Sequence, residues 1–172
     1  PVGYTHLEVD SRQTPKTAGP PCGDVFVCER TAHAATVALA DGIGAGVKAN
    51  IAATLCVSRL MELLRAGFSL REAFGRVVET MNRSRSPDLP YAAFTVARVL
   101  DSGQATILSY DMPPPLLVTA RSASILGQQV YTRETAVLGE SQAEIAAGEG
   151  ILLVSDGITQ AGLGAGLADG WT

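Results

Sequence analysis

The stretch AATVALADGIGAG (residues 34–46) combines a continuous apolar run, an acidic residue and a glycine-rich turn. The run over residues 34–40 is typical of a buried β-strand, and it ends at Asp41. From Val47 onward the apolar residues, among them Ile51 and Leu55, recur every three or four positions. This change of period predicts an amphipathic helix that ends near Gly67.

A second helix is predicted directly after the first. Ser69 and Glu72 have the spacing of a capping box, and this helix ends before Ser86. The other segments rich in β-forming residues predict strands over residues 3–10, 24–30, 91–100, 104–110, 115–119, 124–126, 130–132 and 150–155, with those between 91 and 119 forming a meander. An order of strands, two adjacent helices and then many strands predicts the α+β class, with antiparallel sheet and helices packed on a face.

The composition limits the classes of partner. The chain has 172 residues, of which 47% are hydrophobic, so we expect a single packed domain over residues 1–172. Its net charge is −4 and its basic residues are scattered, which argues against nucleic acid as a partner. The apolar stretch near residues 151–154 is far too short to cross a bilayer, and the start of the chain has no signal-peptide pattern. We therefore expect a cytoplasmic protein without a membrane partner.

Three aspartates are candidates for chemistry at a sheet edge. Asp41 and Asp156 each follow an apolar run and precede Gly-Ile, while Asp24 begins a predicted strand. The connection between residues 30 and 34 is short enough for an antiparallel pairing that places Asp24 and Asp41 at the same edge. Such a group needs a counter-charge, and oxygen ligands without histidine or cysteine favour Mg²⁺ or Mn²⁺. Two such ions could activate a water for attack on phosphorus.

Other chemistries are disfavoured. None of Cys22, Cys28 and Cys56 has an arginine six residues later, which excludes a cysteine-nucleophile phosphatase loop, and we expect all three to be packing residues. The segment GAGVKA (residues 44–49) fits a loose dinucleotide pattern, but a second helix follows where that fold requires a parallel strand. A simpler interpretation of the aspartates also remains open, because Asp-Gly is a common turn dipeptide that can merely end a strand.

Four motifs in order resemble the protein phosphatase 2C (PPM) superfamily, in its bacterial SpoIIE-like branch that includes stressosome-type phosphatases. They are CGD (residues 22–24), ADGIGAG (40–46), PPPLL (113–117) and VSDGIT (154–159). The resemblance implies an αββα sandwich of two antiparallel sheets flanked by helices, and hydrolysis of phosphoserine or phosphothreonine on proteins. By the same resemblance Asp24 and Asp41 would bridge two Mn²⁺ or Mg²⁺ ions, the Gly42 carbonyl would be a further ligand, and Asp156 would hold one ion. Typical substrates of this branch are phosphorylated STAS-domain proteins, including stressosome components.

The chain departs from the family pattern at two places. Asp111-Met112 replaces a frequent Gly-His pair before the prolines, with little expected effect on catalysis. The family normally ends with a helix and a strand that carry a late metal-binding aspartate, whereas Asp169 is the only late aspartate here and follows Asp156 closely. We therefore expect the domain to lack its C-terminal helix and strand. This leaves two main hypotheses, a metal-dependent phosphatase or a catalytically weak or inactive domain of the same fold that binds a signalling protein. A nucleotide-binding enzyme is a distant third.

Overall fold

The computed structural model describes residues 7–15, 21–44, 46–84, 90–133 and 136–161. Its elements in chain order are β1 (Asp24–Arg30), β2 (Ala34–Gly42), α1 (Gly46–Arg65), α2 (Leu70–Arg83), β3 (Ala92–Leu100), β4 (Gln104–Tyr110), β5 (Leu116–Val118), β6 (Ala123–Ile125), β7 (Gln129–Arg133), β8 (Ala136–Glu144), β9 (Gly150–Leu152) and α3 (Asp156–Thr159). None of the helices in these residues is both long enough and apolar enough to cross a membrane.

A large antiparallel sheet forms the centre of the described structure, with strand order β1-β2-β3-β4-β8-β7. Strand β1 has the bounds predicted from the sequence, and it pairs with β2 from Asp24 opposite Asp41 to Arg30 opposite Ala35. The turn between them is tight, since the amide of Thr31 donates to the carbonyl of Ala34 at 2.8 Å. The predicted antiparallel pairing of these two strands is therefore observed.

Helices α1 and α2 pack on one face of the large sheet. Ala38 and Ala40 of β2 are fully buried there, in a cluster with Leu60, Val77 and Phe94. Alanine side chains on the strand let α1 approach the sheet closely, and the larger side chains of the helices fill the layer. The predicted capping box begins α2: the amide of Glu72 donates to the Ser69 hydroxyl, and the amide of Ser69 donates to the Glu72 carboxylate.

A smaller antiparallel sheet, with strand order β6-β5-β9, packs on the opposite face. Ala97 and Ile107 of the large sheet are buried against Ile151 and Leu153 from the segment that includes β9. The α+β class and the two antiparallel sheets are thus confirmed. Among the described residues the helices are the α1–α2 layer on the large sheet and the short α3 after the small one.

The structure differs from the predicted strands at several places. Strand β8 was not predicted, because Gly139, Glu140 and Ser141 interrupt its apolar alternation; it is held by pairing with β4 on one side and β7 on the other. Strand β5 does not continue the meander but joins the small sheet, since the prolines at 113–115 have no N–H to continue the ladder beside β4. Residues 7–10 are not a strand, and residues 3–6 lie outside the described part of the chain.

Candidate functional site

Asp24 and Asp41 lie directly opposite each other, at the start of β1 and near the end of β2. Side chains alternate along a strand, and Ala38 and Ala40 face the helices, so Asp41 faces the small sheet. Directly opposed residues of an antiparallel pair point to the same face, which places the Asp24 carboxylate beside that of Asp41. The two carboxylates therefore stand at one edge of the large sheet, between the sheets.

Asp156 reaches this edge from the small sheet. It follows β9 and is the first residue of α3, and its carboxyl group is hydrogen-bonded to that of Asp41. The residue before it, Ser155, is buried and its hydroxyl donates to Asp24 Oδ2 at 2.8 Å. Asp41 is thus the shared member of two carboxyl pairs, one with Asp156 and one with Asp24.

The electrostatics of the cluster centre on Asp41, whose pKa is raised from an ordinary 3.8 to about 8. Desolvation by burial is the largest cause, followed by the hydrogen bond to Asp156 and the negative charges of Asp24 and Asp156. Each of these influences favours the protonated form of Asp41. A cluster of this kind is stabilised when a cation supplies the opposing charge.

Gly42 is required by the close approach of α1. An added Cβ at this position would lie 1.8 Å from the backbone carbonyl oxygen of Ala49, so any side chain would push the helix away from the strand. The Gly42 amide donates to the carbonyl of Gly23 at 3.3 Å, and its own carbonyl oxygen lies 3.6 Å from where a Cβ on Gly23 would be. The Gly42 carbonyl is therefore on the β1 side, next to Asp24.

The donor set fits a hard divalent cation, because carboxylate and carbonyl oxygens are the ligands that Mg²⁺ and Mn²⁺ prefer. Among the described residues, however, no three Asp, Glu, His or Cys side chains are already arranged to hold a metal ion. Asp41 is therefore in contact with Asp24 and with Asp156, but the three carboxylates are not arranged around one position that could hold an ion. The predicted late residue, Asp169, lies outside the described part of the chain.

Comparison with known proteins identifies the family. The family model described as Stage II sporulation protein E (SpoIIE) matches residues 31–171. The chain belongs to the SpoIIE family. This match covers β2, with Asp41, and the segment that carries Asp156, and it agrees with the resemblance to SpoIIE-like PPM phosphatases noted in the sequence.

Several solved structures share the fold of this chain. The PP2C phosphatase domain of SpoIIE from Bacillus subtilis, solved with a fragment of its regulatory domain, superposes with a TM-score of 0.74 at 18% identity, over 87% of this chain and 45% of that one. The RsbU and RsbW domains of a Mycobacterium tuberculosis protein give 0.69 at 24% identity, over 86% and 42%. RsbX in complex with magnesium gives 0.65 at 18% identity, over 86% and 72%. The chain spans less than half the length of the first two, and no curated protein sequence matches it.

Ser155 is a residue of the candidate site that the sequence did not single out. Its hydroxyl fixes one oxygen of Asp24, and the only available signal was its position before Asp156 in the quoted VSDGIT motif. The packing role predicted for the cysteines is confirmed for Cys56, which is buried in the helix-side core, and burial raises the pKa of its thiol well above the ordinary value. Cys22 and Cys28 are only partly buried, and all three thiols are free.

Proposed function

We propose that this domain is a metal-dependent serine/threonine protein phosphatase that removes phosphate from a regulatory protein. The main observation in its favour is that the Asp41 carboxyl group lies in contact with both Asp24 and Asp156, and that its pKa is raised to about 8. Membership of the SpoIIE family and the PP2C fold support the proposal.

Each residue of the cluster has a proposed role. Asp24, Asp41, the Gly42 carbonyl and Asp156 would hold Mn²⁺ or Mg²⁺, with two ions expected. When bound, the ions would supply an activated water as the nucleophile and neutralise charge on the phosphoryl group. Asp41 must first release its proton, because only the carboxylate is a strong ligand. Ser155 keeps one oxygen of Asp24 occupied as an acceptor, which orients the other oxygen of that carboxylate.

The proposed substrate is a phosphorylated STAS-domain protein of a bacterial stress-signalling system. Support comes from structures with the same fold, which include the RsbU and RsbW domains and a chain from a structure described under the heading of the bacterial stressosome, at 19% identity and a TM-score of 0.62. The site is accessible to a side chain carried by another protein, since Ile43, Gly44 and Asp156 at its rim are exposed.

The test is phosphate release from a phosphorylated STAS-domain protein with Mn²⁺ present. Asp41→Asn and Asp156→Asn should each lower kcat/KM by on the order of 100-fold, because each removes a charged ligand. Asp101→Asn is the matched control, since Asp101 is paired with His33 at the opposite end of the sheet and should retain wild-type turnover. Wild-type turnover in Asp41→Asn would refute the proposal.

A second candidate is a non-catalytic protein-binding domain of the same fold. It is favoured by the observation that, among the described residues, no three Asp, Glu, His or Cys side chains are arranged to hold a metal ion. Calorimetric titration of the folded chain with Mn²⁺ separates the two. Binding that is lost in Asp41→Asn supports the phosphatase, and a flat trace for the wild-type chain supports the binding domain.

A further inference from the structure

Asp111 lies on the same edge of the large sheet as the acidic cluster. It directly follows β4, whose end is next to the start of β3, and β3 begins beside the end of β2. Its backbone has a φ of 51°, the left-handed conformation for which glycine is the usual residue. The carboxylate accepts hydrogen bonds from the amide of Val137 at 2.8 Å and from the hydroxyl of Tyr91.

Tyr91 connects Asp111 to the end of β2. Its side chain is half-buried against Tyr110, with ring centroids 6.0 Å apart, and its hydroxyl is held by Asp111. Its backbone carbonyl accepts a hydrogen bond from the amide of Ile43 at 3.0 Å. Ile43 is the residue after Gly42, so this contact fixes the peptide unit that contains the Gly42 carbonyl.

The orientation of that carbonyl follows from the geometry of the peptide. In a trans peptide the C=O and the following N–H point in opposite directions. The Ile43 N–H points toward β3, so the Gly42 C=O points toward β1, in agreement with its 3.6 Å distance from the Cβ position of Gly23. A shift of Tyr91 would rotate this peptide and turn the carbonyl away from Asp24.

We propose that Tyr91 and Asp111 are positioning residues that set the direction of the Gly42 carbonyl at the acidic cluster. The inference rests on the proposed function, in which that carbonyl is a metal ligand. It also gives Asp111 a role where the sequence predicted little catalytic effect. In this role the two side chains would act through the backbone and would not themselves be metal ligands.

The test compares Tyr91→Phe with Tyr110→Phe in the full chain. Both remove a tyrosine hydroxyl that donates a hydrogen bond, but the Tyr110 hydroxyl is bonded to Asn82 on the helix side. In the metal-free protein, Tyr91→Phe should speed amide hydrogen exchange at Ile43 by about tenfold, and it should raise the Mn²⁺ dissociation constant by about tenfold. Tyr110→Phe should leave both quantities within about twofold of wild type.

Asp111→Asn provides a second variant. Its amide oxygen still accepts from Val137, while its bond to the Tyr91 hydroxyl is weakened, so it should give a smaller change in the same direction. Unchanged Ile43 exchange and Mn²⁺ affinity in Tyr91→Phe would overturn the inference, as would equal changes in Tyr110→Phe. If the wild-type chain binds no Mn²⁺, the proposed function fails, and Ile43 exchange still decides whether Tyr91 holds this peptide.

Discussion

Replacing Asp41 by asparagine should change how the stability of the metal-free domain depends on pH. Its pKa is about 8 in the folded protein and near 3.8 when the chain is unfolded and exposed. Between these values the folded state holds a proton that the unfolded chain has lost, so the free energy of unfolding falls as the pH rises. The contribution is fully present below about pH 4 and is lost by about pH 8. Asparagine cannot ionise, and Asp41→Asn should therefore lack this part of the slope.

The magnitude follows from the size of the shift and the exposure of the group. One pKa unit corresponds to about 1.4 kcal/mol, so a shift from 3.8 to about 8 has an upper limit of about 6 kcal/mol. Asp41 is only half-buried, and solvent screening reduces such interactions several-fold. We expect Asp41→Asn to be more stable than wild type by about 1–2 kcal/mol at about pH 8, and by much less at about pH 5.

The assay is urea unfolding of wild type, Asp41→Asn and Asp10→Asn in chelator, over a range of about pH 5 to about pH 9. Asp10 is exposed and paired with Arg12, so its variant controls for the loss of one surface carboxylate. The informative quantity is the difference between variant and wild type at each pH, because titrating groups that do not interact with Asp41 cancel. A difference for Asp41→Asn that does not change with pH would refute the electrostatic account of the cluster. Saturating Mn²⁺ should stabilise wild type and leave Asp41→Asn unchanged.

Four further substitutions test packing and local structure in the domain. Gly42→Ala should lower the free energy of unfolding by about 3 kcal/mol in urea titrations, because its Cβ would lie 1.8 Å from the Ala49 carbonyl oxygen. Gly75→Ala, in α2 with open space around the new Cβ, should instead raise it by up to about 1 kcal/mol; equal effects would contradict the close approach of α1. Ser141→Ala should stabilise by about 1 kcal/mol, since the Ser141 hydroxyl is buried and has no hydrogen-bond partner among the described residues; a loss of stability would indicate a partner. Ser69→Ala should cost about 1 kcal/mol through the lost helix cap, and an unchanged midpoint in thermal melts would argue against the capping box.

The elements that the sequence predicted well are those specified by local interactions. Strand β1 and the capping box of α2 each depend on residues a few positions apart, and both are observed as predicted. Strand β8 depends on distant partners: Glu140 is ion-paired with Arg71 of α2, and Gly139 leaves room for the side chain of Gln128. The local sequence pattern contains no information about these contacts. Because these positions hold polar residues and glycine, the pattern did not predict β8, which lies between β4 and β7.

The site divides in the same way. The short turn after β1 was enough to predict that Asp24 and Asp41 lie at the same sheet edge, and the structure shows them directly opposite each other. The position of Asp156 relative to Asp41 depends on how the two sheets pack, and the sequence spacing of the residues around Asp41 or Asp156 does not determine that packing. The contact of Ser155 with Asp24 also depends on the packing of the two sheets, and for this reason the sequence did not identify Ser155 as a site residue.

The assembly of the cluster from both sheets also has a kinetic consequence. Ser155 and Asp24 are separated by 131 residues, so closing this contact requires the two sheets to have formed and docked. Closing such a long-range contact costs more chain entropy than closing the local turn between β1 and β2, so we expect the turn to form early and this contact late in folding. A cation at this cluster would then slow unfolding and leave the refolding rate nearly unchanged, which would make the domain's lifetime in the folded state depend on the metal supply.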